Sequence, residues 1–543
     1  MKKVRLLIAA TVSASLVIAV IAAPAQAGSR IPSTVPYFGL ILDESFDLNL
    51  EPDAFFANSK DPIGKNIVLC AGPEDELCTK TTDVMIIHNL PVCSVDSSFD
   101  CIKSVWAVDP SGKKIEGTYQ RSLPANTRGD HEPYPLMMIS AGRGLGGLWQ
   151  IPGVTNGGGT DNYFVSLRIN SGATKAAGTP LLSQKMYYGQ VMAGIIPVKE
   201  ISGNYKATLS QPTWAGGGEP GTAGPSYTPE GVRCTVTDVG ICQSPQNFPE
   251  GYRFGMSVQF AQKLSGWFHG RIALPLVSQT KIDKGQLVEI EAEPVKVSTL
   301  DFTIPNAEIP ESVRKLIFAD RDWGVSGDSK GGIKTMLEGL SNPVTMEIMN
   351  AMLPTIGDKA TKTTQYWSFR ALNSWKNPEV QRCSEQQGVL GGVITTNALT
   401  YGDGPPIFNK ATGALEYKIA SPHLQADGEL ALGTYDLAVK SDVARCIYGF
   451  SNAPIQASIS IINESGEQKI ATTIVNERGG WLYLSAKGFT FSSPTISVKL
   501  SQATAQATAK TAAKKVTLVC MKGKLLKKVT GTKPKCPAGY KAR

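Results

Sequence analysis

Long apolar runs are scarce in this chain of 543 residues: after Ala23 none is long enough to span a bilayer as a helix, which excludes a multi-span helical membrane protein. Histidine is scarcer still, with four residues at His88, His131, His269 and His423, so far apart in sequence that each reads as a structural or surface residue. CxxC and CxxH spacings are absent, which argues against zinc even where Cys78, His88 and Cys93 are near neighbours, and no metal or cofactor is expected. No glycine period exists, excluding collagen, and 42% hydrophobic against 18% charged residues excludes disorder for most of the chain. Between 501 and 543 there is no acidic residue at all.

That last absence reshapes the formal charge of +8. The stretch 1–27 carries Lys2, Lys3 and Arg5, and 501–543 carries ten lysines and Arg543. Positions 28–500 therefore hold 40 bases against all 46 acids, an acidic body joined to a tail of charge +11.

At the N-terminus a basic start, an apolar stretch from Leu6 to Ala23 and the small-residue site Ala25-Gln26-Ala27 read as a secretory signal, 1–27, with Gly28 the expected mature end and no transmembrane span left after cleavage. In an oxidising compartment ten cysteines are most simply five disulfides. Cys70 with Cys78, Cys93 with Cys101 and Cys234 with Cys242 share one spacing of eight positions, and Cys383 with Cys446 and Cys520 with Cys536 remain as pairs within their own regions. Each short loop is worth roughly 2–3 kcal/mol and the long one about 4 kcal/mol by chain entropy.

The fold expected is mainly β with a helical insert: antiparallel β-sandwich domains cross-linked by disulfides, plus a small basic C-terminal module. Across 28–300, one or two β domains, short β runs alternate with Gly, Pro and Asn punctuation. Ile102 to Val108, the turn Asp109-Pro110-Ser111-Gly112 and Ile115 to Tyr119 read as a hairpin, and Phe254, Met256, Val258 and Phe260 alternate on one strand face. Over 301–382, Met336 to Leu340 and Pro343 to Leu353 show helical spacing, with Met346, Met349, Met352 and Leu353 facing a core. Strands return about every ten residues over 383–502, as in a β-sandwich, with Cys383–Cys446 tying its opening segment to a central strand. An Ala/Thr/Gln linker, 503–514, leads to a module at 515–543 that depends on Cys520–Cys536 as its staple.

Among possible sites, Gly327-Asp328-Ser329-Lys330-Gly331 fits the G-x-S-x-G elbow ahead of a possible helix from Ile333 to Leu340, and over these few residues resembles the elbow of secreted α/β-hydrolases. The resemblance implies a serine hydrolase using Ser329, with His423, the one histidine that follows it, as base. The surrounding hairpin pattern lacks the alternating strands and helices such a fold needs, so this stands as the alternative and the chain reads as a non-enzyme. Gly142, Gly144 and Gly147 approximate a G-x-G-x-x-G without its βαβ unit. The tail is the clearer signal. Lys522, Lys524, Lys527, Lys528, Lys533, Lys535, Lys541 and Arg543 form a patch suited to polyanions, while Tyr540 as its one aromatic argues against dedicated nucleic-acid binding.

Two segments resemble known groups. Cys520-Met-Lys-Gly-Lys through Pro534-Lys-Cys-Pro-Ala-Gly-Tyr-Lys541 is similar to a short C-terminal module of many secreted actinobacterial proteins. Gly433-Thr-Tyr-Asp-Leu, Ser441-Asp-Val-Ala-Arg-Cys-Ile-Tyr-Gly-Phe450 and Gly479-Gly-Trp-Leu resemble the C-terminal part of a group of exported actinobacterial proteins without an assigned activity. The resemblance implies export and envelope association. The expected role is a binding or structural protein at the cell surface, its tail on an anionic wall polymer or envelope surface and its domains on a protein or glycan ligand.

Overall fold

A computed structural model describes residues 37–44, 52–59, 66–94, 98–127, 129–184, 186–207, 226–227, 233–319, 325–327, 333–336, 340–372, 378–451, 455–462, 468–470, 474–491, 495–502, 516–531 and 533–543. The expected signal segment and the linker 503–514 lie outside them. The fold is mainly β, 54% strand and 12% helix, with five helices among the described residues. None of these helices is long and apolar enough to cross a membrane.

Two long strands organise it. Gly266–Ile282 and Gly285–Pro305 form a hairpin closed at Ile282↔Gly285, where Gly285 at φ 122° takes a backbone conformation that side chains resist. In the second strand Val288, Ile290 and Ala292 turn inward while Glu289, Glu291 and Glu293 turn out, the period of two that makes a half-buried strand. Arg253–Phe260 pairs beside it and against Cys101–Val108, which in turn forms a hairpin with Lys114–Glu116; the expected arm Ile115 to Tyr119 is split, since Thr118–Leu123 pairs instead with Gly146–Gln150. Phe254, Met256, Val258 and Phe260 are all buried, in a core shared with Val105, Ile290 and Trp367.

Strand pairing bridges the divisions expected at 300 and 382. Gly266–Ile282 runs parallel to Leu390–Thr396 (Phe268↔Val393), which continues antiparallel into Leu432–Lys440 and Trp481–Thr490. In the 301–382 stretch, Lys362–Tyr366 pairs with Gly285–Pro305 and Ser368–Ala371 with Gly266–Ile282, so this insert is part helix and part sheet. Its helix Pro343–Met352 starts at the Asn342 cap and buries Met346, Met349 and Met352 against the core. Met336 instead ends the strand Ile333–Met336, which pairs with Tyr37–Leu42.

The region 383–502 layers the sheet through Leu432–Lys440 and Trp481–Thr490 over a second sheet containing Ala414–Ala420, Thr495–Gln502 and Ile455–Ile462. Leu437 and Leu484 from one and Ile459 and Val498 from the other meet in one core.

All five expected cysteine pairs are disulfides: Cys70 with Cys78, Cys93 with Cys101, Cys234 with Cys242, Cys383 with Cys446, and Cys520 with Cys536. Cys234 and Cys242, both fully buried, tie the short strand Arg233–Cys234 to Ile241–Pro245, and Cys242 sits there opposite Ile201 of the long strand Tyr187–Ser202. One tie differs from expectation. Cys446 lies on the helix Ser441–Tyr448, not a central strand, and joins it to the helix Pro378–Gln387 carrying Cys383. Val443, Ala444 and Ile447 at helical spacing, ended by Gly449 at φ 65°, account for the helix. Replacing Cys383 and Cys446 together by Ser, which opens a closure of 63 positions, is expected to lower unfolding free energy by about 4 kcal/mol, read as a lower denaturant midpoint.

Candidate functional site

The strand Ala54–Ser59 lies between Asn66–Cys70 and Asp83–Asn89, and the register Ala54↔Ile87 carries Asp53, just before the strand, alongside His88. A segment between the strands Thr118–Leu123 and Gly146–Gln150 folds onto this sheet end. It is stitched by bridges His131↔Gly142 and Tyr134↔Ile139 around a turn at Pro135–Met137, with Met138 left-handed at φ 60°. The stitching brings His131 onto the carboxylate of Asp53 and Ser140 onto the far nitrogen of His88.

There one oxygen serves two rings. Asp53 Oδ2 is 2.7 Å from His88 Nδ1 and 3.1 Å from His131 Nε2, while its Oδ1 accepts from the backbone and side-chain N–H of Asn89, both at 2.8 Å. His88 Nε2 meets Ser140 Oγ at 2.7 Å, and His131 Nδ1 donates to the Glu132 carbonyl at 2.8 Å. Arg143 braces the segment through the carbonyls of His131 and Gly142 and the Glu132 carboxylate. Two glycines clear the space: a Cβ at 129 would stand 2.5 Å from Asp53 N, and one at 142 would stand 2.6 Å from Asp53 Oδ2.

Charge follows from these partners. Both nitrogens of His131 face groups that only accept, the Glu132 carbonyl and the Asp53 carboxylate, which calls for two N–H and hence the imidazolium. Burial opposes that charge, but the bonds to Asp53 and Glu132 outweigh it and hold the ring's pKa above its ordinary value. Burial likewise opposes the Asp53 charge, and the two histidines overcome it, bringing the carboxyl down to about 2.

The order Asp53, His88, Ser140 has the distances of a charge relay, yet Ser140 is only 3% exposed, so a bulky acyl substrate has no approach to its hydroxyl. The same atoms offer a different chemistry. Asp53, His88 and His131 place three ligand atoms within 4.8 Å of one another, a set found once among the described residues. None of these three was expected to act together. His88 ends an apolar strand and His131 sits in a Gly-flanked loop, and only the strand register shows that they share a carboxylate.

A second polar cluster is buried near the middle of the sheets. Arg271 is bound by Glu44 and by the carbonyls of Thr396, Ala398 and Leu399. His269 stacks on Tyr401 at 3.5 Å with its Nε2 unpartnered, and burial together with Arg271 and Arg370 keeps its ring neutral.

Ser329 lies outside the described residues. The strands on either side, Val325–Gly327 and Ile333–Met336, pair antiparallel with Gly327 opposite Ile333, so the helix expected after an elbow is replaced by a strand. His423 binds Asp358 through Nδ1 at 2.5 Å, and both side chains are 34% exposed.

The tail forms a three-stranded sheet, Leu525–Gly531, Val516–Lys522 and Lys541–Ala542, stapled by Cys520–Cys536. Lys522, Lys524, Lys527, Lys528, Lys533, Lys535, Lys541 and Arg543 are all exposed, and Leu525 and Leu526 at the hairpin end are exposed with them. Lys522, Lys527, Lys528 and Lys541 thus stand on strands of the stapled sheet, and the other four on its turn, connecting segment and end.

The lowered pKa of Asp53 makes it a stabilising group above its unfolded value of about 4, with that stability lost as pH falls toward about 2. His131 acts in the other sense, stabilising fully below about 6.5 and losing its contribution as pH rises through its raised folded value. Asp53→Asn is expected to cost about 2 kcal/mol at pH 6 and to remove the acid limb between pH 4 and 2, measured by denaturant unfolding across pH. No family model matches this chain, and neither a curated protein nor a solved structure is significantly similar to it.

Proposed function

We propose that the chain is an exported, disulfide-bonded β-protein of the cell envelope that binds a polyanion through its C-terminal module, with its acidic body free to hold a protein or glycan ligand. The observation that carries the reading is the stapled sheet of 516–543, with eight exposed cations in a stretch that holds no acidic side chain. Cations held on a rigid hairpin raise the local positive potential without paying to gather flexible chains, and anionic wall polymer or envelope surface is the counterpart of that chemistry. Five disulfides support an extracellular setting, since such bonds persist where thiols are not kept reduced. We read the resemblance of the Cys520–Lys541 sequence to modules of secreted actinobacterial proteins in the same sense.

Binding to isolated cell walls or an anionic polymer is expected to fall at least about tenfold between 50 and 500 mM salt. It is expected to be lost on deleting 515–543, and to be weakened as far by replacing Lys522, Lys527 and Lys528 with Glu. Retention unchanged by either variant would refute the reading.

The alternative, a secreted hydrolase using Ser329, keeps one support: His423 with Asp358 makes the base-and-orienter half of a serine site. Covalent labelling of Ser329 by an active-site serine probe, abolished in Ser329→Ala, would establish it.

A further inference from the structure

Asp53, His88 and His131 meet the demands of a metal site on three counts. Their donors are two imidazole nitrogens and a carboxylate oxygen, a set suited to zinc and its neighbours rather than to magnesium or calcium, which favour oxygen alone. The far side of each donor is already fixed: His88 by Ser140 Oγ, His131 by the Glu132 carbonyl, Asp53 by Asn89. Ligating histidines need such outer partners to hold ring and tautomer. Gly142 lets the folded segment pack directly against the donors, since a Cβ there would stand 2.6 Å from Asp53 Oδ2 and 2.7 Å from His131 Cδ2.

We propose that Asp53 Oδ2, His88 Nδ1 and His131 Nε2 bind a divalent transition-metal ion, zinc best fitting the donors, with the fourth position left to water; the ion displaces to solvent the His131 Nε2 proton that faces Asp53, and the His88 proton moves to Nε2, where Ser140 Oγ accepts it. Tetrahedral zinc with bonds near 2.0–2.1 Å sets its donors about 3.3 Å apart, so the observed 2.7 and 3.1 Å separations open by roughly 0.2 to 0.6 Å to admit it. His88 and Asp53 sit on paired strands, whereas His131 rides on the folded segment and its side chain is 11% exposed, so that ring is the one to yield. Sulfur takes no part, because every cysteine is in a disulfide. The bound ion pins the 129–145 segment to the strand end.

The test uses the full untagged mature chain, stripped with chelator and titrated with zinc chloride. One zinc per chain is expected after desalting, with affinity reduced at least tenfold in His131→Gln and unchanged in His423→Gln. On the unaltered chain, zinc is expected to shield His131 but not His423 from diethyl pyrocarbonate, mapped by mass spectrometry, which keeps the test decisive if His131→Gln does not fold. Zinc retained equally by His131→Gln, absence of stoichiometric zinc, or His131 modified as fast with zinc as without it would overturn the proposal.

Discussion

A guanidinium, which keeps its charge wherever it sits, is held 1% exposed within a β structure only where its N–H groups find acceptors, and Arg271 finds them in the Glu44 carboxylate and three backbone carbonyls. Its strand, Gly266–Ile282, pairs with Gly285–Pro305, with Ser368–Ala371 and with Leu390–Thr396. Glu44 lies just beyond Tyr37–Leu42, so the ion pair joins the earliest described strand to the centre, while the carbonyls come from the end of Leu390–Thr396 and the residues that follow it, within the 383–502 region. Breaking a buried pair by removing one partner typically costs about 3–5 kcal/mol, because the survivor is left charged and dry. That penalty binds together parts of the chain far apart in sequence.

Asp53 repeats the principle at the edge of the molecule. One carboxylate gathers two rings, a hydroxyl behind one ring and a carbonyl behind the other, and a loop of glycines and aromatics folds down to deliver them. The body thereby fixes a polar centre near its surface, while the cationic tail is a separate sheet on its own disulfide. Charge is divided between them: an acidic body whose key carboxylates are buried and paired, and a tail whose cations face solvent.

What was legible in the sequence were features with a short period. Alternation marked Arg253–Phe260, repeated spacing paired Cys70 with Cys78, Cys93 with Cys101 and Cys234 with Cys242, and Met346, Met349 and Met352 announced a buried helix face. Cys446 was misplaced because a helix of eight residues, Ser441–Tyr448, interrupts a strand-rich stretch and has only Val443, Ala444 and Ile447 to declare it. Ile333–Met336 read as helical because its two apolar residues stand three apart, a helical spacing, and its pairing with Tyr37–Leu42 decides the matter from nearly three hundred residues away. The Asp53 centre was illegible for the same reason: its partners lie 35, 52 and 78 positions apart and only register and loop stitching bring them together.

The claim that this centre is built for a metal is tested most directly by anomalous diffraction at the zinc edge from crystals of the zinc-treated chain. A single anomalous peak about 2.0–2.2 Å from Asp53 Oδ2, His88 Nδ1 and His131 Nε2 is the predicted result. A map with no peak there, or with the three side chains still bonded to one another and zinc elsewhere, would contradict it.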